Sequence, residues 1–156
     1  MPEVRFYLEA DDRLLKFAVI VARYQGQWVF CKHRKRNTYE CPGGHREPGE
    51  PVDQAAAREL YEETGAKDYR LAPVCSYSVY QPESGEESYG MLYFAEIQTL
   101  GPLPAEFEME RIELFTEPPA NWTYPEIQPQ LLDRVRLFLK NRAASPAELK
   151  GPQRPV

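Results

Sequence analysis

The sequence lacks the features that would place the protein in an oxidising compartment or in a membrane. It has only three cysteines, Cys31, Cys41 and Cys75, an odd number without a C-x-x-C spacing, which predicts reduced thiols rather than disulfides. The longest apolar run, FAVIVA at 17–22, is far shorter than the roughly 20 residues of a membrane-spanning helix. The N-terminus has neither the basic segment nor the apolar core of a secretory signal. We therefore expect a cytoplasmic protein that makes no membrane contact.

The chain also lacks an excess of basic residues, internal repeats and long linkers. Its formal net charge is −5, so contact with a nucleotide or nucleic acid must rely on a local basic patch or a metal. A length of 156 residues with 42% hydrophobic content is enough for one domain with a sizeable core. We expect this domain over residues 1–142, followed by a flexible tail over 143–156 that has no apolar period.

The remaining pattern predicts a layered α/β or α+β domain with a mixed sheet. A helix is expected from about Pro51 to Thr64, with Gly65 as its stop signal. A second helix begins near Pro125, or at Pro129, and its apolar residues recur at spacings of three and four. The predicted strands are KFAVIVARY and QWVFCKHR, joined around Gly26, then TYECPGGH, VCSYSVY at 74–80, YGMLYFAEI at 89–97 and RIELFT at 111–116.

The stretch RELYEETG at 58–65 breaks local rules for a helix. Glu59, Glu62 and Glu63 share one turn, and like charges three or four residues apart cost about 0.2–0.5 kcal/mol per pair. They also lie at the negative end of the helix dipole. Such violations are typical of functional sites. Clustered carboxylates are oxygen ligands for Mg²⁺ or Mn²⁺, and Mg²⁺ usually completes its shell with water and substrate phosphates. The sequence therefore indicates a metal site for a phosphate-containing substrate.

The spacing around this helix resembles the Nudix box, G-x5-E-x7-R-E-U-x-E-E-x-G-U, where U is a bulky aliphatic residue. All seven fixed positions are present from Gly44 to Gly65, and only Ala66 is small for its position. The resemblance implies the Nudix fold, an α/β/α sandwich with a mixed β-sheet. It also implies Mg²⁺-dependent hydrolysis, with Mn²⁺ as an alternative, of a nucleoside diphosphate linked to another moiety, X.

The resemblance also implies roles for individual residues. Glu50 and Arg58 are expected to form an ion pair that pins the loop to the helix, while Leu60 and Ala56 face the core. Glu59 is one candidate for activating water. The implied metal ligands are the carboxylates of Glu59, Glu62 and Glu63 and the carbonyl of Gly43.

Residues outside the box bear on the substrate. The basic segment KHRKR at 32–36 could place Lys32 and Arg34 beside the phosphates. PPAN at 118–121 resembles a stretch of MutT-type Nudix proteins and implies that Asn121 reads an oxidised guanine base. Trp122 or Tyr124 could stack on that base. In the acidic segment 105–113, Glu108 is the first choice for a further metal ligand; the alternatives are Glu106 and Glu110.

Several functions stay open at this stage. A nucleoside triphosphate such as 8-oxo-dGTP is the leading substrate. Pro82 follows Ala66 by sixteen residues, a spacing that resembles ADP-ribose pyrophosphatases. The 5′ end of an RNA also presents a diphosphate, and a nucleotide-sensing module without turnover could use the same fold. Both a monomer and a homodimer are compatible with the sequence.

Overall fold

Eight strands form one mixed sheet in the computed structural model, which describes residues 1–144. The strands pair in the order β1-β6-β7-β2-β3-β4, while β5 pairs with β2 and β8 with β3. Strands β2 and β7 are parallel, and the other pairs are antiparallel. The elements are β1 (Glu3–Tyr7), a 3-10 helix (Asp12–Leu14), β2 (Leu15–Tyr24), β3 (Gln27–His33), β4 (Tyr39–Glu40), β5 (Gly43–His45), α1 (Val52–Thr64), β6 (Ala66–Gln81), β7 (Glu86–Leu100), β8 (Met109–Phe115) and α2 (Gln128–Ala144).

The sheet lies between the two helices because its central strands are apolar on both faces. On β2, Ile20 and Ala22 join the cluster that contains Leu60 of α1, whereas Val21 joins the cluster that contains Leu131 of α2. This alternation follows from the period of two along a strand. Ala56 of α1 is also fully buried. The α/β/α sandwich with a mixed sheet is thus confirmed.

Helix α1 begins and ends close to its predicted limits. Pro51 is the N-cap residue, and its carbonyl accepts a hydrogen bond from the Ala55 N–H. Gly65 adopts a left-handed conformation with φ of +77° and donates its N–H to the Tyr61 carbonyl. A side chain at this position would be strained, because left-handed φ values favour glycine. Strand β6 begins at the next residue, Ala66.

The hairpin of β6 and β7 is longer than the sequence predicts. Its pairing runs from Ala66 opposite Leu100 to Gln81 opposite Glu86. The strands predicted at 74–80 and 89–97 include only the apolar middle part of each observed strand. The backbone hydrogen bonds between the strands continue through flanking polar residues, whose side chains do not favour a strand in the sequence pattern. Strand β1, which was not predicted, pairs with β6 at the sheet edge.

Helix α2 begins at Gln128, so Pro129 lies in its first turn, where the missing N–H has no intrahelical acceptor. The helix continues through Ala144, two residues into the segment predicted as a tail. The rest of that segment, 145–156, lies outside the described residues. Among residues 1–144, no helix has both the length and the hydropathy needed to cross a bilayer.

Candidate active site

Two glycines of β5, Gly43 and Gly44, contact the carboxylates of α1. Pairing with β2 fixes this short strand, with Gly43 opposite Val19 and Gly44 opposite Ala18. The Gly43 N–H donates to Glu63 Oε1 over 2.9 Å. A Cβ on Gly44 would collide with the carboxylate of Glu59. Glycine at position 44 therefore allows the acidic end of the helix to approach the strand closely.

The Arg58 guanidinium joins the loop to the helix. Its Nε and Nη2 donate to the two carboxylate oxygens of Glu50 over 2.8 and 3.0 Å, and Nη2 also donates to the His45 carbonyl. Its Nη1 lies 3.4 Å from Glu59 Oε2 and 3.5 Å from Glu62 Oε1. The ion pair expected between Glu50 and Arg58 is present. The same cation offsets part of the repulsion between neighbouring carboxylates, which explains how the helix tolerates them.

Burial perturbs the protonation of two of these carboxylates. Removal from water raises the pKa of Glu63 to about 8, although the Gly43 N–H favours its charged form. Burial also raises the pKa of Glu59 to about 7, with Arg58 acting in the opposite direction. Ionising both groups is costly without a further cation nearby. Such a pair of perturbed acids in a cleft is a candidate functional site.

The carboxylates open onto an acidic cleft with a volume of about 400 Å³. Two further acids, Glu106 and Glu108, stand on the loop before β8 and face the box residues across this space. Glu110 points elsewhere, since it pairs with Lys32 and Arg111. The lining residues are Gly43, Gly44, Glu59, Glu62, Glu63, Glu106, Phe107 and Glu108.

The donor set fits a hard divalent cation. All of its side-chain donors are oxygens, and the partly buried carboxylates have raised pKa values that a cation would reverse. Within residues 1–144, however, no three acidic, histidine or cysteine side chains are already arranged as a metal-coordinating group. Arg58 and the Gly43 N–H hold the carboxylates in their present positions. Binding a metal would therefore exchange some of these contacts for metal contacts.

The basic residues expected beside the phosphates are engaged within the protein. Lys32 is buried, and its Nζ donates to Glu110 Oε1 over 3.0 Å. Arg34 donates to the carbonyls of Phe107 and Ala105. Substrate contact by Lys32 and Arg34 stays a prediction, which would require new partners for both side chains.

The residues expected to contact a base are separated by the structure. Asn121 is exposed, and its Nδ2 donates to the Asn37 carbonyl over 2.7 Å. Trp122 packs edge-on against Phe30, with 5.1 Å between the ring centroids. Tyr124, which is 41% exposed, lines a cavity of about 300 Å³. Base stacking by Trp122 or Tyr124 and base reading by Asn121 stay predictions.

This second cavity contains groups that the sequence did not single out. Gln128, at the start of α2, lines it and accepts a hydrogen bond from the Cys41 N–H. Phe17 and Tyr77 add aromatic surface, and their rings meet edge-on. Only the fold reveals that residues from β2, β6 and α2 surround one space.

Three cavities share some of their lining residues. The second cavity shares Gly43 and Gly44 with the acidic cleft. A third cavity, of about 560 Å³, shares Phe17 and His45 with the second. Its charged lining is mixed: Arg13, Lys16 and Arg46 are accompanied by Asp12 and Glu47, and Arg46 pairs with Asp12. The acidic cleft and the third cavity thus each share wall residues with the second cavity.

The raised pKa values predict how the stability of the metal-free protein depends on pH. Because Glu59 and Glu63 have folded pKa values of about 7 and 8, above the ordinary value of 4.5, the folded state binds more protons. Their stabilising contribution is fully present below pH 4.5 and is lost as the pH rises towards about 8. In EDTA, the Tm should therefore fall between pH 5.5 and about 8.

Thermal unfolding in EDTA and in Mg²⁺ checks this expectation. Since a metal favours the ionised carboxylates, the Tm increase caused by Mg²⁺ should be larger at pH 8 than at pH 6. A Tm in EDTA that stays level or rises across this range would contradict the assigned protonation of Glu59 and Glu63.

Comparison with known proteins places this geometry in context. The profile described as "NUDIX domain" matches residues 12–135. A Bacillus subtilis protein named "Putative 8-oxo-dGTP diphosphatase YtkD" is 37% identical over 106 residues, which cover 68% of this chain and 65% of that protein. An RNA pyrophosphohydrolase of Baumannia cicadellinicola is 33% identical over 61 residues, or 38% of each chain. The chain thus spans less than two thirds of the length of these curated relatives.

A solved structure is similar over most of the chain. The Bacillus subtilis pyrophosphohydrolase BsRppH, in a mutant form, superposes with a TM-score of 0.72 and 27% identity. The match covers 86% of this chain and 90% of that one. A MutT Nudix hydrolase from Burkholderia pseudomallei shares the fold, with a TM-score of 0.61 and 21% identity over 76% of this chain and 95% of that one.

Proposed function

Because the chain belongs to the Nudix family, we propose that it is a divalent-metal-dependent pyrophosphohydrolase that cleaves a nucleoside diphosphate linked to another moiety. The observation that carries this proposal is the acidic cleft, where the partly buried carboxylates Glu59 and Glu63 share the lining with Glu108. Two acids with raised pKa values and an open space beside them suit a site that receives a cation together with its anionic substrate.

The residues of the Nudix box have different proposed roles. Glu59, Glu62 and Glu63, with the carbonyl of Gly43, would hold the metal, and Mg²⁺ is the cation that we propose. When bound, the metal supplies charge neutralisation for the diphosphate and lowers the pKa of a water molecule. Glu59 is also a candidate proton acceptor for the attacking water, as the resemblance to the Nudix box implies.

The second cavity supports a nucleotide as the substrate. Its apolar wall and the exposed ring of Tyr124 offer a surface on which a base could stack, next to the cleft that would hold the diphosphate. The Gln128 amide can donate to and accept from a purine edge, although its oxygen already accepts the Cys41 N–H. Together with the name of the YtkD relative, these features favour a nucleoside triphosphate, with 8-oxo-dGTP as the first candidate.

The 5′ end of an RNA is the second candidate. The wall of the third cavity carries Lys16 together with Arg13 and Arg46, which pair with Asp11 and Asp12, and a chain that continues past the first nucleotide would need such cations as phosphate partners. Two relatives named as pyrophosphohydrolases, one of them acting on RNA by name, agree with this candidate.

Other functions receive less support from the fold. Pro82 lies in the turn between β6 and β7, so turn formation is sufficient to account for it. An ADP-ribose substrate therefore stays a prediction that rests on spacing alone. A binding module without turnover also stays a prediction, and the complete set of box carboxylates disfavours it.

A product assay with and without Mg²⁺ tests the proposal. The substrates are 8-oxo-dGTP, dGTP, ADP-ribose and a short RNA with a 5′ triphosphate, and chromatography resolves the products. We expect Mg²⁺-dependent release of pyrophosphate or phosphate with a monophosphate product. Preference for 8-oxo-dGTP over dGTP supports the first candidate, whereas preference for the RNA supports the second. Absence of any product over hours, with tight nucleotide binding, would overturn catalysis in favour of sensing.

A further inference from the structure

The loop that carries Glu106 and Glu108 into the cleft is held by one arginine. Arg34, at the end of β3, donates Nε to the Phe107 carbonyl over 3.2 Å and Nη2 to the Ala105 carbonyl over 2.7 Å. Its backbone N–H donates to the Glu108 carbonyl over 3.1 Å. One residue thus fixes three parts of a loop that has no regular secondary structure.

The neighbours of Arg34 fix the loop at the point where it enters β8. His33 pairs with Met109 in the sheet, and its Nε2 lies 3.4 Å from Glu108 Oε2. Lys32 binds Glu110 at 3.0 Å. At the other end, the Gly101 N–H donates to the Gly65 carbonyl at the end of α1. Between these two ends, the side chain of Arg34 holds the loop through its hydrogen bonds to the Ala105 and Phe107 carbonyls.

We propose that Arg34 is a positioning residue, which holds loop 105–108 so that Glu108 faces the box carboxylates across the cleft. This inference rests on the proposed function, because it assigns Glu108 as the metal ligand outside the box. A planar guanidinium suits the task, since its two donors can bridge carbonyls that lie two residues apart. A lysine ammonium would keep the charge without this fixed fork.

A comparison of Arg34 with Lys35 distinguishes a role in holding the loop from a role of the positive charge of segment 32–36. Lys35 is exposed and carries the same charge as Arg34 one residue away. If the segment served only by its positive potential, removing either side chain would have a similar effect. If Arg34 holds the loop, only its removal should alter residues 105–108.

Hydrogen exchange of the full-length protein measures the state of the loop. In Arg34→Ala and Arg34→Lys, the backbone amide of residue 34, which donates to the Glu108 carbonyl, should exchange at least about tenfold faster, because the loop that supplies this acceptor has lost its side-chain hydrogen bonds. Lys35→Ala should retain the wild-type protection. Unchanged exchange in both Arg34 variants, or equal acceleration in Lys35→Ala, would overturn the proposal.

Titration with Mn²⁺, followed by electron paramagnetic resonance, tests whether Arg34 acts through Glu108. Arg34→Ala should weaken Mn²⁺ binding by about threefold to tenfold in the wild-type background, but by less than about twofold in the Glu108→Gln background. An equal loss in both backgrounds would show that Arg34 acts by another route and would overturn the proposal.

The two readouts distinguish this proposal from the proposed function. Mn²⁺ affinity and amide exchange need no substrate, so they report on Arg34 even if the wild-type protein cleaves nothing in the product assay. Conversely, a wild-type enzyme with full activity and an Arg34→Ala variant with unchanged exchange and Mn²⁺ binding would refute the positioning role alone.

Discussion

Replacement of Glu63 by glutamine is expected to lower kcat at saturating Mg²⁺ by at least about a hundredfold, comparable with removing a preorganised electrostatic group from an active site. The same change should raise the stability of the metal-free protein at pH 8. Glutamine can still accept the Gly43 N–H but carries no charge, so the cost of ionising a partly buried carboxylate disappears. Activity and stability should therefore change in opposite directions.

Enzyme kinetics and thermal unfolding in EDTA measure the two effects. At pH 8, the Tm of Glu63→Gln should exceed that of the wild type by about 3–8 °C, and the difference should shrink at pH 5.5. Glu117→Gln is the matched control, because Glu117 is exposed and lies outside the cleft. Near-normal kcat in Glu63→Gln would remove this carboxylate from the proposed metal site.

Replacement of Arg58 by glutamine is expected to destabilise the fold by about 3 kcal/mol, because one partner of a largely buried ion pair is removed. Glu50 is only 12% exposed in its side chain and would lose both guanidinium hydrogen bonds. The substitution would also remove the cation that pairs with Glu50, Glu59 and Glu62, so the repulsion among these three carboxylates would increase. Chemical denaturation should therefore give a lower free energy of unfolding.

An exposed arginine in a similar ion pair serves as the control, because it shows how much an ion pair contributes to stability without burial. Arg13 makes a similar contact with Asp11, but its side chain is 89% exposed. Arg13→Gln should cost less than about 1 kcal/mol, as exposed ion pairs do. Arg58→Lys should fall between the wild type and Arg58→Gln, since it keeps the charge without the two-oxygen fork. Equal losses in Arg58→Gln and Arg13→Gln would mean that the buried pair contributes no more than a surface pair.

Local chemistry made α1 and its carboxylates predictable from the sequence. Pro51 and Gly65 mark helix limits through their own backbone preferences, and the spacing of Glu59, Glu62 and Glu63 places them on one turn. The Glu50 and Arg58 pair followed from the resemblance to the Nudix box. The central strands were predictable because their apolar residues lie on both faces of the sheet.

The partners of the flanking residues were less predictable because they depend on tertiary contacts. The resemblance of PPAN to MutT-type proteins implies that Asn121 reads a base, yet its amide contacts the Asn37 carbonyl. Gln128 reaches the second cavity only because α2 packs on the sheet face that carries Val21. Arg34 has no pattern of its own that would reveal bonds to carbonyls more than seventy residues away. Such long-range pairings are set by strand order, which the sequence of one segment does not encode.

Metal binding by Glu63 and its neighbours is the central claim, and a titration of the protein with Mn²⁺ at pH 8 tests it most directly. Electron paramagnetic resonance would follow free Mn²⁺ for the wild type, Glu63→Gln and the Glu117→Gln control, with Mg²⁺ as competitor. We predict binding by the wild type and the control, displacement by Mg²⁺, and affinity at least about tenfold weaker in Glu63→Gln. Equal Mn²⁺ affinity in all three proteins would contradict the assignment of the acidic cleft as the metal site.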